Sequence, residues 1–194
     1  GLVTLSGSSP IRCSIDGKPA VRYERPFDLR EGGVVRAWPE GSDWIATEHR
    51  YERITTIPVT VSGVSSEESG AGSVAHLLDG DPSTIWHSMY SVTVAAYPHW
   101  VALDCGEECS IAGVTYLPRQ DGSTNGDIRD YALSVSSDGE MWQEVARGTM
   151  ERSKSRQTLR LAHPVKARYV RFTALSSQSG ADFASGAELM VLSE

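Results

Sequence analysis

The chain has 194 residues, of which 40% are hydrophobic and 22% are charged, and its formal net charge is −7. This is the composition of an ordinary globular protein, and it excludes a disordered, collagen-like or coiled-coil chain. The acidic excess falls in residues 56–194, which argues against nucleic acid as a partner because phosphates require clustered Lys and Arg. No apolar run approaches the roughly 18 residues that cross a bilayer. The chain starts at Gly1 without a charged-then-apolar leader, so we expect that any signal peptide was removed or left out.

The first predicted elements are short strands in residues 1–55. Ile11–Ile15 alternates apolar and polar side chains and stops at the turn Asp16-Gly17, and a second strand follows Gly33. A segment of this size is small for a self-sufficient hydrophobic core. We therefore predict a small accessory β-sandwich over residues 1–55 that depends on a neighbouring domain.

Residues 56–194 are predicted to form a second, larger domain. Apolar residues alternate with others in the sequences HWVALDC, IAGVTYLP, YALSVSS and ARYVRFTA, and turns follow at Asp121-Gly122 and Asp138-Gly139. One short helical segment is predicted near Ser73–Leu78. Many strands with so little helix are typical of an antiparallel β-sandwich, so the fold class is predicted to be all-β.

Two of the three cysteines lie close together in the second domain. Cys105 and Cys109 flank Gly106-Glu107-Glu108, which we interpret as a hairpin turn between two strands. A disulfide across this turn depends on geometry that the sequence does not show, and a pair of buried thiols is the favoured alternative. No zinc-binding pattern accompanies them.

The second domain resembles the discoidin family, also called coagulation factor type C or galactose-binding-like domains. Within that family it is most similar to the carbohydrate-binding modules of bacterial glycoside hydrolases. The motifs that carry the resemblance occur in family order over nearly all of residues 56–194; they are Leu77–Ser88, Pro98–Trp100, Pro118–Gly122, Asn125-Gly126, Ser137–Gly139 with Trp142, Ala167–Arg171 and Ala187–Leu189. The resemblance implies a jelly-roll β-sandwich.

The first domain resembles the small β-sandwich that follows the catalytic barrel in chitobiase and β-hexosaminidase-type enzymes. Ile11–Pro19 and Val35–Ala37 carry this likeness. Together, the two resemblances imply the C-terminal end of a secreted, periplasmic or surface-attached bacterial glycosidase, such as an α-L-fucosidase or a β-hexosaminidase. The catalytic domain would precede Gly1.

The family resemblance implies a structural Ca²⁺ site in the loop after the short helix. Asp79, Asp81 and Thr84 lie within six residues, and Gly80 and Pro82 make the loop turn sharply. Ca²⁺ takes six to eight oxygen ligands, which such a loop supplies. Glu188 would close the shell, with the carbonyl groups of Leu78 and Ala187 contributing. The alternative is a set of Asx turns that cap the helix without a metal.

A sugar-binding site is implied by a second set of residues. His87, Arg119 and Asn125 resemble the residues that contact sugar in the family, and they combine hydrogen-bond donors and acceptors at fixed angles. Tyr90 and Phe183 would supply flat apolar surfaces against the C–H face of the sugar. Alternative roles are a satisfied histidine at a strand end, a surface ion pair for Arg119, and a core position for Phe183.

Other conspicuous side chains are assigned structural roles. Trp86, Trp100, Trp142 and Tyr169 lie in or beside alternating strands, so we expect them in the core rather than as sugar platforms. Glu67 and Glu68 are interpreted as solvated loop charges. No pair of carboxylates stands in a motif typical of glycoside hydrolysis, and no nucleophile, phosphate-binding or zinc motif occurs, so no enzyme is expected.

The leading hypothesis is a monomeric, non-catalytic carbohydrate-binding module. It would bind galactose-type or related terminal glycans and hold an attached glycoside hydrolase, present in cis, near its substrate. The alternatives are a discoidin-type adhesion module that binds proteins or lipid headgroups, and a structural spacer. No membrane partner is expected, because basic residues are absent beside the apolar segment Met89–Tyr97.

Overall fold

A computed structural model of the chain describes residues 2–29, 31–51, 53 and 55–194. The chain divides into two compact units, Gly1–Thr55 and Thr56–Glu194. All strand ladders in both units are antiparallel, which confirms the predicted all-β class. Within the described residues, no helix is long and apolar enough to cross a membrane.

Among the residues that the structure describes, the first unit contains six strands and one short 3₁₀ helix. The strands are β1 (Leu2–Val3), β2 (Ile11–Ile15), β3 (Val21–Arg22), β4 (Phe27–Asp28), β5 (Gly33–Pro39) and β6 (Thr47–Tyr51), and the 3₁₀ helix is Asp43–Ile45. A four-stranded sheet has the order β3-β2-β5-β6, and β1 pairs with β4. Cys13 and Val35 lie buried on the two central strands. The turn after β2 uses positive φ at Asp16 and Gly17, as that dipeptide predicts.

The second unit contains nine strands and one 3₁₀ helix. Its strands are β7 (Thr56–Ile57), β8 (Thr60–Val64), β9 (Trp86–His87), β10 (His99–Leu117), β11 (Asp130–Ser136), β12 (Gln143–Thr149), β13 (Gln157–Ala174), β14 (Ser185–Gly186) and β15 (Glu188–Ser193). The helix is Val74–Leu78, and the Ser73 hydroxyl accepts a hydrogen bond from the amide of Ala75 at its start. The predicted helical segment is confirmed at this place.

The two long strands β10 and β13 each pass through both layers of the second unit. The first half of β10 pairs with β8 and with the end of β13, which also pairs with β11. The second half of β10 pairs with β15 and with the start of β13. Register shifts near Asp104 and Ile111 separate the two halves of β10. The sheet therefore folds over on itself into a β-sandwich.

The hydrophobic core lies between the two layers. Val101, Leu103 and Phe172 face inward from one layer and Tyr116 from the other, and each is at most 3% exposed. The rings of Tyr116 and Phe172 contact each other with centroids 5.8 Å apart. Inward-facing residues of both layers thus interdigitate, as in β-sandwiches generally.

The predicted hairpin at Gly106 is wrong. The chain remains in one strand, β10, because both halves pair with β13 rather than with each other: Asp104 lies opposite Tyr169 and Cys109 opposite Ala167. The intervening residues form a bulge in which Gly106 takes φ 81°. Cys105 and Cys109 are free, half-buried thiols. Burial raises the pKa of Cys105 to about 12.

Only part of the predicted aromatic core is confirmed. Trp86 is 2% exposed and belongs to the core. Trp100, Trp142 and Tyr169 are half-buried instead. Trp100 and Tyr169 lie on the outer face, because the inward positions of the same strands belong to residues such as Val101 and Val170.

Arginines cover the aromatic rings on that outer face. The Arg171 guanidinium lies 4.5 Å from the Trp142 ring centroid and 5.8 Å from that of Trp100, and Arg168 lies 5.0 Å from Tyr169. Each of these half-buried rings therefore has a guanidinium group beside it, in cation–π contact.

Candidate functional site

A cavity of about 600 Å³ opens in the second unit. It brings together the five residues that were predicted to bind sugar, although they come from three separate segments of the chain. The residues that line it are Glu68, Ala71, Gly72, His76, Ser83, Thr84, Ile85, His87, Tyr90, Arg119, Asp121, Ser123, Asn125 and Phe183. Its volume is within the range of about 300–1,000 Å³ typical of small-molecule sites.

His87 is buried at the base of this cavity in a defined tautomer. It is 4% exposed, and its backbone pairs with Ser185 between β9 and β14. Its Nδ1 lies 2.7 Å from the carbonyl oxygen of Ser88, which can only accept, so Nδ1 carries the proton. Burial lowers the pKa of His87, with the positive charge of Arg119 adding to the effect. The ring is therefore neutral near pH 7, and Nε2 is a hydrogen-bond acceptor.

Arg119 is held by two partners at the cavity wall. Its Nε and Nη2 donate to the two carboxylate oxygens of Asp121 at 2.8 and 2.5 Å, and its Nη1 donates to the Asn125 carbonyl oxygen at 3.1 Å. The ion pair lowers the pKa of Asp121 to about 2 and raises that of Arg119. The Arg119 side chain is only 12% exposed, so its orientation is fixed rather than free in solvent.

Asn125 lies beside Arg119 with its backbone fixed. Its carbonyl oxygen also accepts from the Ser185 hydroxyl at 2.9 Å, and its amide donates to the Ser123 hydroxyl at 3.1 Å. The side-chain amide forms no hydrogen bond with the residues that the structure describes. The chain thus holds Asn125 in the cavity wall while its side chain keeps both a donor and an acceptor available.

Three rings form an aromatic cluster at the site. The centroids of His87 and Tyr90 are 4.9 Å apart, those of His87 and Phe183 are 5.4 Å apart, and those of Tyr90 and Phe183 are 6.3 Å apart. Tyr90 is 51% exposed and Phe183 is half-buried. The core role considered for Phe183 is therefore wrong, because its ring lines the cavity.

The loop that carries Phe183 is fixed by hydrogen bonds from distant residues. The Tyr97 hydroxyl donates to the Phe183 carbonyl oxygen, and His99 Nε2 donates to that of Asp182 at 3.0 Å. The Ser88 hydroxyl accepts from the amide of Ala184 at 3.0 Å. These contacts join the predicted segment around Pro98-His99 to the site, although neither residue lines the cavity.

The interpretation of Glu67 and Glu68 as solvated charges is wrong. Glu67 accepts from the amide of Val74 at 2.6 Å and so caps the 3₁₀ helix. Glu68 is 8% exposed, lines the cavity and accepts from the Ser91 hydroxyl at 2.5 Å. The amides of Tyr90 and Ser91 donate to it as well, each at 2.9 Å.

These contacts make Glu68 the anchor of the segment that presents Tyr90. They lower the pKa of Glu68 to about 2, with the Ser91 hydroxyl as the largest cause. The residues involved are 22 and 23 positions apart in the chain, so no local pattern in the sequence identifies the contact.

The loop after the 3₁₀ helix contains the residues of the predicted metal site. Asp79 Oδ1 accepts from the amide of Asp81 at 2.8 Å, and Asp79 Oδ2 accepts from the Thr84 hydroxyl at 2.7 Å. Asp81 Oδ1 accepts from the amide of Ser83 at 2.9 Å. These are the Asx turns of the alternative interpretation, so the loop's own hydrogen bonds explain its shape without a metal.

Glu188, on β15, approaches this loop from the far end of the chain. Its side chain is 3% exposed overall and its Oε1 has no hydrogen-bond partner among the described residues. Burial raises the pKa of Glu188 to about 7; Arg156 opposes the shift, and Asp79 adds to it. A buried carboxylate oxygen without a partner is costly and fits a cation ligand.

A cation held between Glu188 and the loop after the 3₁₀ helix would need backbone oxygens as ligands in addition to side chains. Among the described residues, no three His, Cys, Asp or Glu side chains form a metal-binding group. The 3₁₀ helix packs against β15, and Leu77 Cδ2 lies 3.1 Å from the Cβ position of Gly186, which brings Leu78 and Ala187 to the same region. Carbonyl groups of these two residues and the Thr84 hydroxyl are the oxygen donors that Ca²⁺ accepts beside carboxylates.

Several cavity residues have no counterpart among the sequence predictions. Asp121 had a local signal, since it starts the turn Asp121-Gly122 two positions after Arg119. Gly72 has no such signal. It lies close to Glu68 and His87, and a side chain does not fit there because a Cβ would lie 2.7 Å from the Cβ of Glu68. His76, Ser83 and Ile85 also line the cavity.

The fold and the cavity together define an F5/8 type C domain. The model of that family matches residues 60–189, and the chain belongs to the family. This confirms the discoidin resemblance of the sequence.

Individual relatives agree with this assignment. A sialidase of Micromonospora viridifaciens is 38% identical over 138 residues, which cover 69% of this chain and 21% of the sialidase. The chain thus spans about a fifth of that enzyme's length. Among solved structures, CpGH89CBM32-5 from Clostridium perfringens, in complex with GalNAc-β-1,3-galactose, has a TM-score of 0.64 and 34% identity over 71% of this chain and 99% of that chain.

A second solved structure is similar over the same share of this chain. The family 32 carbohydrate-binding module from C. perfringens NanJ, in complex with galactose, has a TM-score of 0.63 and 29% identity over 71% of this chain and 98% of that chain. Both bacterial modules are covered almost completely, so the similarity spans a whole domain rather than a fragment.

Proposed function

We propose that the chain is a non-catalytic carbohydrate-binding module whose cavity takes a galactose-type or related terminal sugar. The observation that carries this proposal is the convergence of His87, Arg119 and Asn125 on one cavity beside the rings of Tyr90 and Phe183. The complexes of the two Clostridium perfringens modules with GalNAc-β-1,3-galactose and with galactose support it.

Each cavity residue has a distinct part in this binding. His87 Nε2 accepts a hydrogen bond from a sugar hydroxyl, and the free N–H groups of Arg119 donate to sugar oxygens. The Asn125 amide both donates and accepts. Tyr90 and Phe183 pack against the C–H face of the ring, which excludes water from the polar contacts. Sugar binding of this kind makes or breaks no covalent bond, so the proposed role of the module is non-catalytic.

The proposed cofactor is a structural Ca²⁺ held by Asp79, Asp81, Thr84 and Glu188 with the carbonyl groups of Leu78 and Ala187. The ion would neutralise the buried Glu188 carboxylate and tie β15 to the loop after the 3₁₀ helix. The unpartnered Glu188 Oε1 supports this assignment. The sugar-contacting groups do not depend on the ion for their own hydrogen bonds.

In the cell, the module would serve a larger enzyme. We propose that residues 1–55 are an accessory β-domain, that a glycoside hydrolase precedes it in the same chain, and that the protein acts outside the bacterial cytoplasm. Weak sugar binding would raise the local concentration of that enzyme at its substrate. The sialidase relative, of which this module matches 21%, supports this arrangement.

A lipid-binding function is the second candidate, favoured by one observation. Val92 is 84% exposed and Val94 is 51% exposed in the segment beside Tyr90. Apolar loop tips of this kind insert into membranes when basic residues accompany them. Residues 88–98 contain no Lys or Arg and the net charge is −7, which favours sugar over lipid.

A glycan array with the whole chain tests these functions against each other. We expect signals on galactose-terminated glycans and no sedimentation with phosphatidylserine vesicles. Sedimentation with vesicles and silence on the array would support the lipid function instead. If the chain binds neither the glycans on the array nor the vesicles, the binding role is wrong and a structural spacer remains.

A further inference from the structure

The outer face of the four-stranded sheet in the first unit concentrates positive charge. Cys13 and Val35 lie on its buried side, so the residues that alternate with them on β2 and β5 point outward. Cross-strand pairing continues this outward row to β3 and β6, because Arg12 lies opposite Arg22 and Arg36 lies opposite Glu48. We call this surface the basic face; its basic residues are Arg12, Arg22, Arg36 and Arg50.

The basic face contrasts with the charge of the whole chain, which is −7. Glu40 is shared by two of its arginines, with distances of 4.0 Å to Arg12 Nη1 and 3.9 Å to Arg22 Nε. The side chains of Arg12 and Arg22 are 39% and 57% exposed. A single carboxylate between two guanidinium groups leaves a positive excess at this end of the sheet.

A cavity of about 330 Å³ opens on the basic face. Ser14, Arg36, Trp38 and Glu48 line it from the sheet, and Lys18 lines it from the segment after the Asp16-Gly17 turn. Its volume is at the lower end of the range of about 300–1,000 Å³ typical of small-molecule sites. The face therefore combines a concave site with charged groups around it.

The cations at this cavity are available to an anion. Among the residues that the structure describes, no acidic side chain forms an ion pair with Lys18, Arg36 or Arg50. Arg36 lies opposite Glu48 in register, but its guanidinium lies over the Trp38 ring, 5.6 Å from the centroid. An anion can thus bind these groups without displacing an ion pair.

The same cavity offers acceptors for hydroxyl groups. The Ser14 hydroxyl donates to the Lys18 carbonyl oxygen at 2.6 Å, so its lone pairs remain available. The Glu48 carboxylate is exposed and accepts hydrogen bonds only. A ligand that carries both a negative charge and hydroxyl donors satisfies all of these groups. Sugars with carboxylate or sulfate substituents have this combination.

Nucleic acid fits the basic face less well than an acidic sugar chain does. Trp38 is the one aromatic residue at the outward positions of these described strands, and Arg36 covers its ring. Single-stranded nucleic acid binds through bases that stack on free aromatic rings. The face supplies no such ring, whereas its cations and acceptors serve a sugar chain.

We infer that the basic face of the first unit binds an acidic polysaccharide. A carboxylate or sulfate group lies at Lys18 and Arg36, and neighbouring sugar hydroxyls donate to Ser14 and Glu48. The remaining arginines attract further charges along the chain. This site is separate from the cavity of the second unit and does not rest on the function proposed for that cavity.

Binding of the whole chain to three immobilised polymers tests this site. Dextran, carboxymethyl dextran and dextran sulfate share a glucan backbone without galactose, so the cavity proposed to bind galactose has no ligand among them. We expect binding to at least one charged polymer and none to dextran. Because salt screens exposed charges, affinity should fall at least tenfold between about 50 and about 500 mM NaCl. Free galactose should not displace the polymer.

Paired charge reversals locate the site. Lys18→Glu with Arg36→Glu should weaken binding to the charged polymer at least tenfold, and Lys18→Gln with Arg36→Gln should give a smaller loss. Arg152→Glu with Lys166→Glu is the matched control, because both residues are exposed, lie outside the two cavities and give the same net charge. It should retain wild-type affinity. Unchanged amide exchange on β2 and β5 verifies that the first unit remains folded.

Several outcomes would overturn this inference. They are equal losses in the two charge-reversed variants, equal binding of dextran and the charged polymers, and tighter binding of an oligothymidylate than of either charged polymer. A dimer in sedimentation that dissociates on reversal of Lys18 and Arg36 would assign the face to a second copy instead. Failure to bind galactose, with dextran sulfate binding retained, would overturn the proposed function and leave this site intact.

Discussion

Both carboxylate oxygens of Asp121 accept hydrogen bonds from the Arg119 guanidinium, with Nε–Oδ1 and Nη2–Oδ2 distances of 2.8 and 2.5 Å. A third N–H of Arg119 donates to the Asn125 carbonyl oxygen. A guanidinium group has five N–H donors, so two remain for a ligand. The ion pair thus leaves Arg119 a defined pair of donors at the cavity, and Asp121 acts on the ligand through Arg119.

The first prediction concerns this positioning role. Asp121→Asn removes one of the two charge-assisted hydrogen bonds, so Arg119 keeps its charge and loses its fixed orientation. We expect galactose affinity to fall about fivefold to tenfold in calorimetric titration, less than on loss of Arg119 itself. Unchanged affinity would show that Arg119 orientation does not matter for binding.

The second prediction concerns pH. The pKa of His87 is lowered, so the ring stays neutral and Nε2 stays an acceptor as the pH falls from 8 to about 6.5. Affinity for galactose should be constant over this range and fall only below it, where a proton on Nε2 replaces the acceptor by a donor. The same protonation lowers the stability of the fold, because the unfolded chain binds the proton at higher pH.

Titrations at several pH values, with the exposed His163→Asn variant as control, check this behaviour. The variant should follow the wild-type profile. Affinity that rises as His87 is protonated would contradict the assigned tautomer.

The third prediction concerns Glu68. Glu68→Gln weakens the contacts to the Ser91 hydroxyl and to the amides of Tyr90 and Ser91, so Tyr90 is held less firmly. We expect several-fold weaker galactose binding and faster hydrogen exchange at the two amides. Glu107→Gln, in the exposed bulge of β10, is the control and should change neither. Protected amides in Glu68→Gln would show that the carboxylate is not the anchor.

The fourth prediction concerns the proposed calcium ion. An ion that binds only the folded state stabilises it by about 2.7 kcal/mol at a concentration 100 times its Kd. Treatment with EDTA should therefore lower the Tm, and added Ca²⁺ should restore it. In Glu188→Gln the EDTA effect should be much smaller, because one ligand charge is missing. If EDTA leaves the wild-type Tm unchanged and elemental analysis finds no metal, the calcium proposal is wrong and the Asx turns hold the loop without a metal.

The fifth prediction concerns the core beneath the site. The Tyr116 hydroxyl donates to the Ser185 carbonyl oxygen at 2.7 Å and accepts from the amide of Ile128 at 3.2 Å, and the residue is 1% exposed. Tyr116→Phe leaves both buried partners without a hydrogen bond, which costs about 1–3 kcal/mol of unfolding free energy. Chemical denaturation measures this loss. A change below about 0.5 kcal/mol would mean that water replaces the hydroxyl.

The sequence contains enough to predict the all-β class and five of the residues that line the cavity. Alternation in HWVALDC and ARYVRFTA predicts strands because one face of each is buried, and Val101 and Phe172 are indeed core residues. His87 and Arg119 are predicted through the family resemblance, since no local sequence pattern predicts that the two residues lie close together.

What the sequence does not contain is the identity of contact partners. Gly106 has turn chemistry, yet it forms a bulge because β13 pairs with both halves of β10. Trp100 alternates with Val101, but which of the two faces the core depends on the register with β13. Glu68 was assigned to solvent because its partners, Tyr90 and Ser91, are more than twenty residues away.

Titration of the wild type and of Arg119→Ala with galactose tests the central claim most directly. Arg147→Ala is the matched control, because Arg147 also pairs with an acidic side chain, Glu144, and lies outside the cavity. We predict wild-type binding in the millimolar range, equal binding by Arg147→Ala, and no detectable binding by an Arg119→Ala variant that remains folded. Galactose binding that survives in a folded Arg119→Ala variant would contradict the assignment of this cavity as the sugar site.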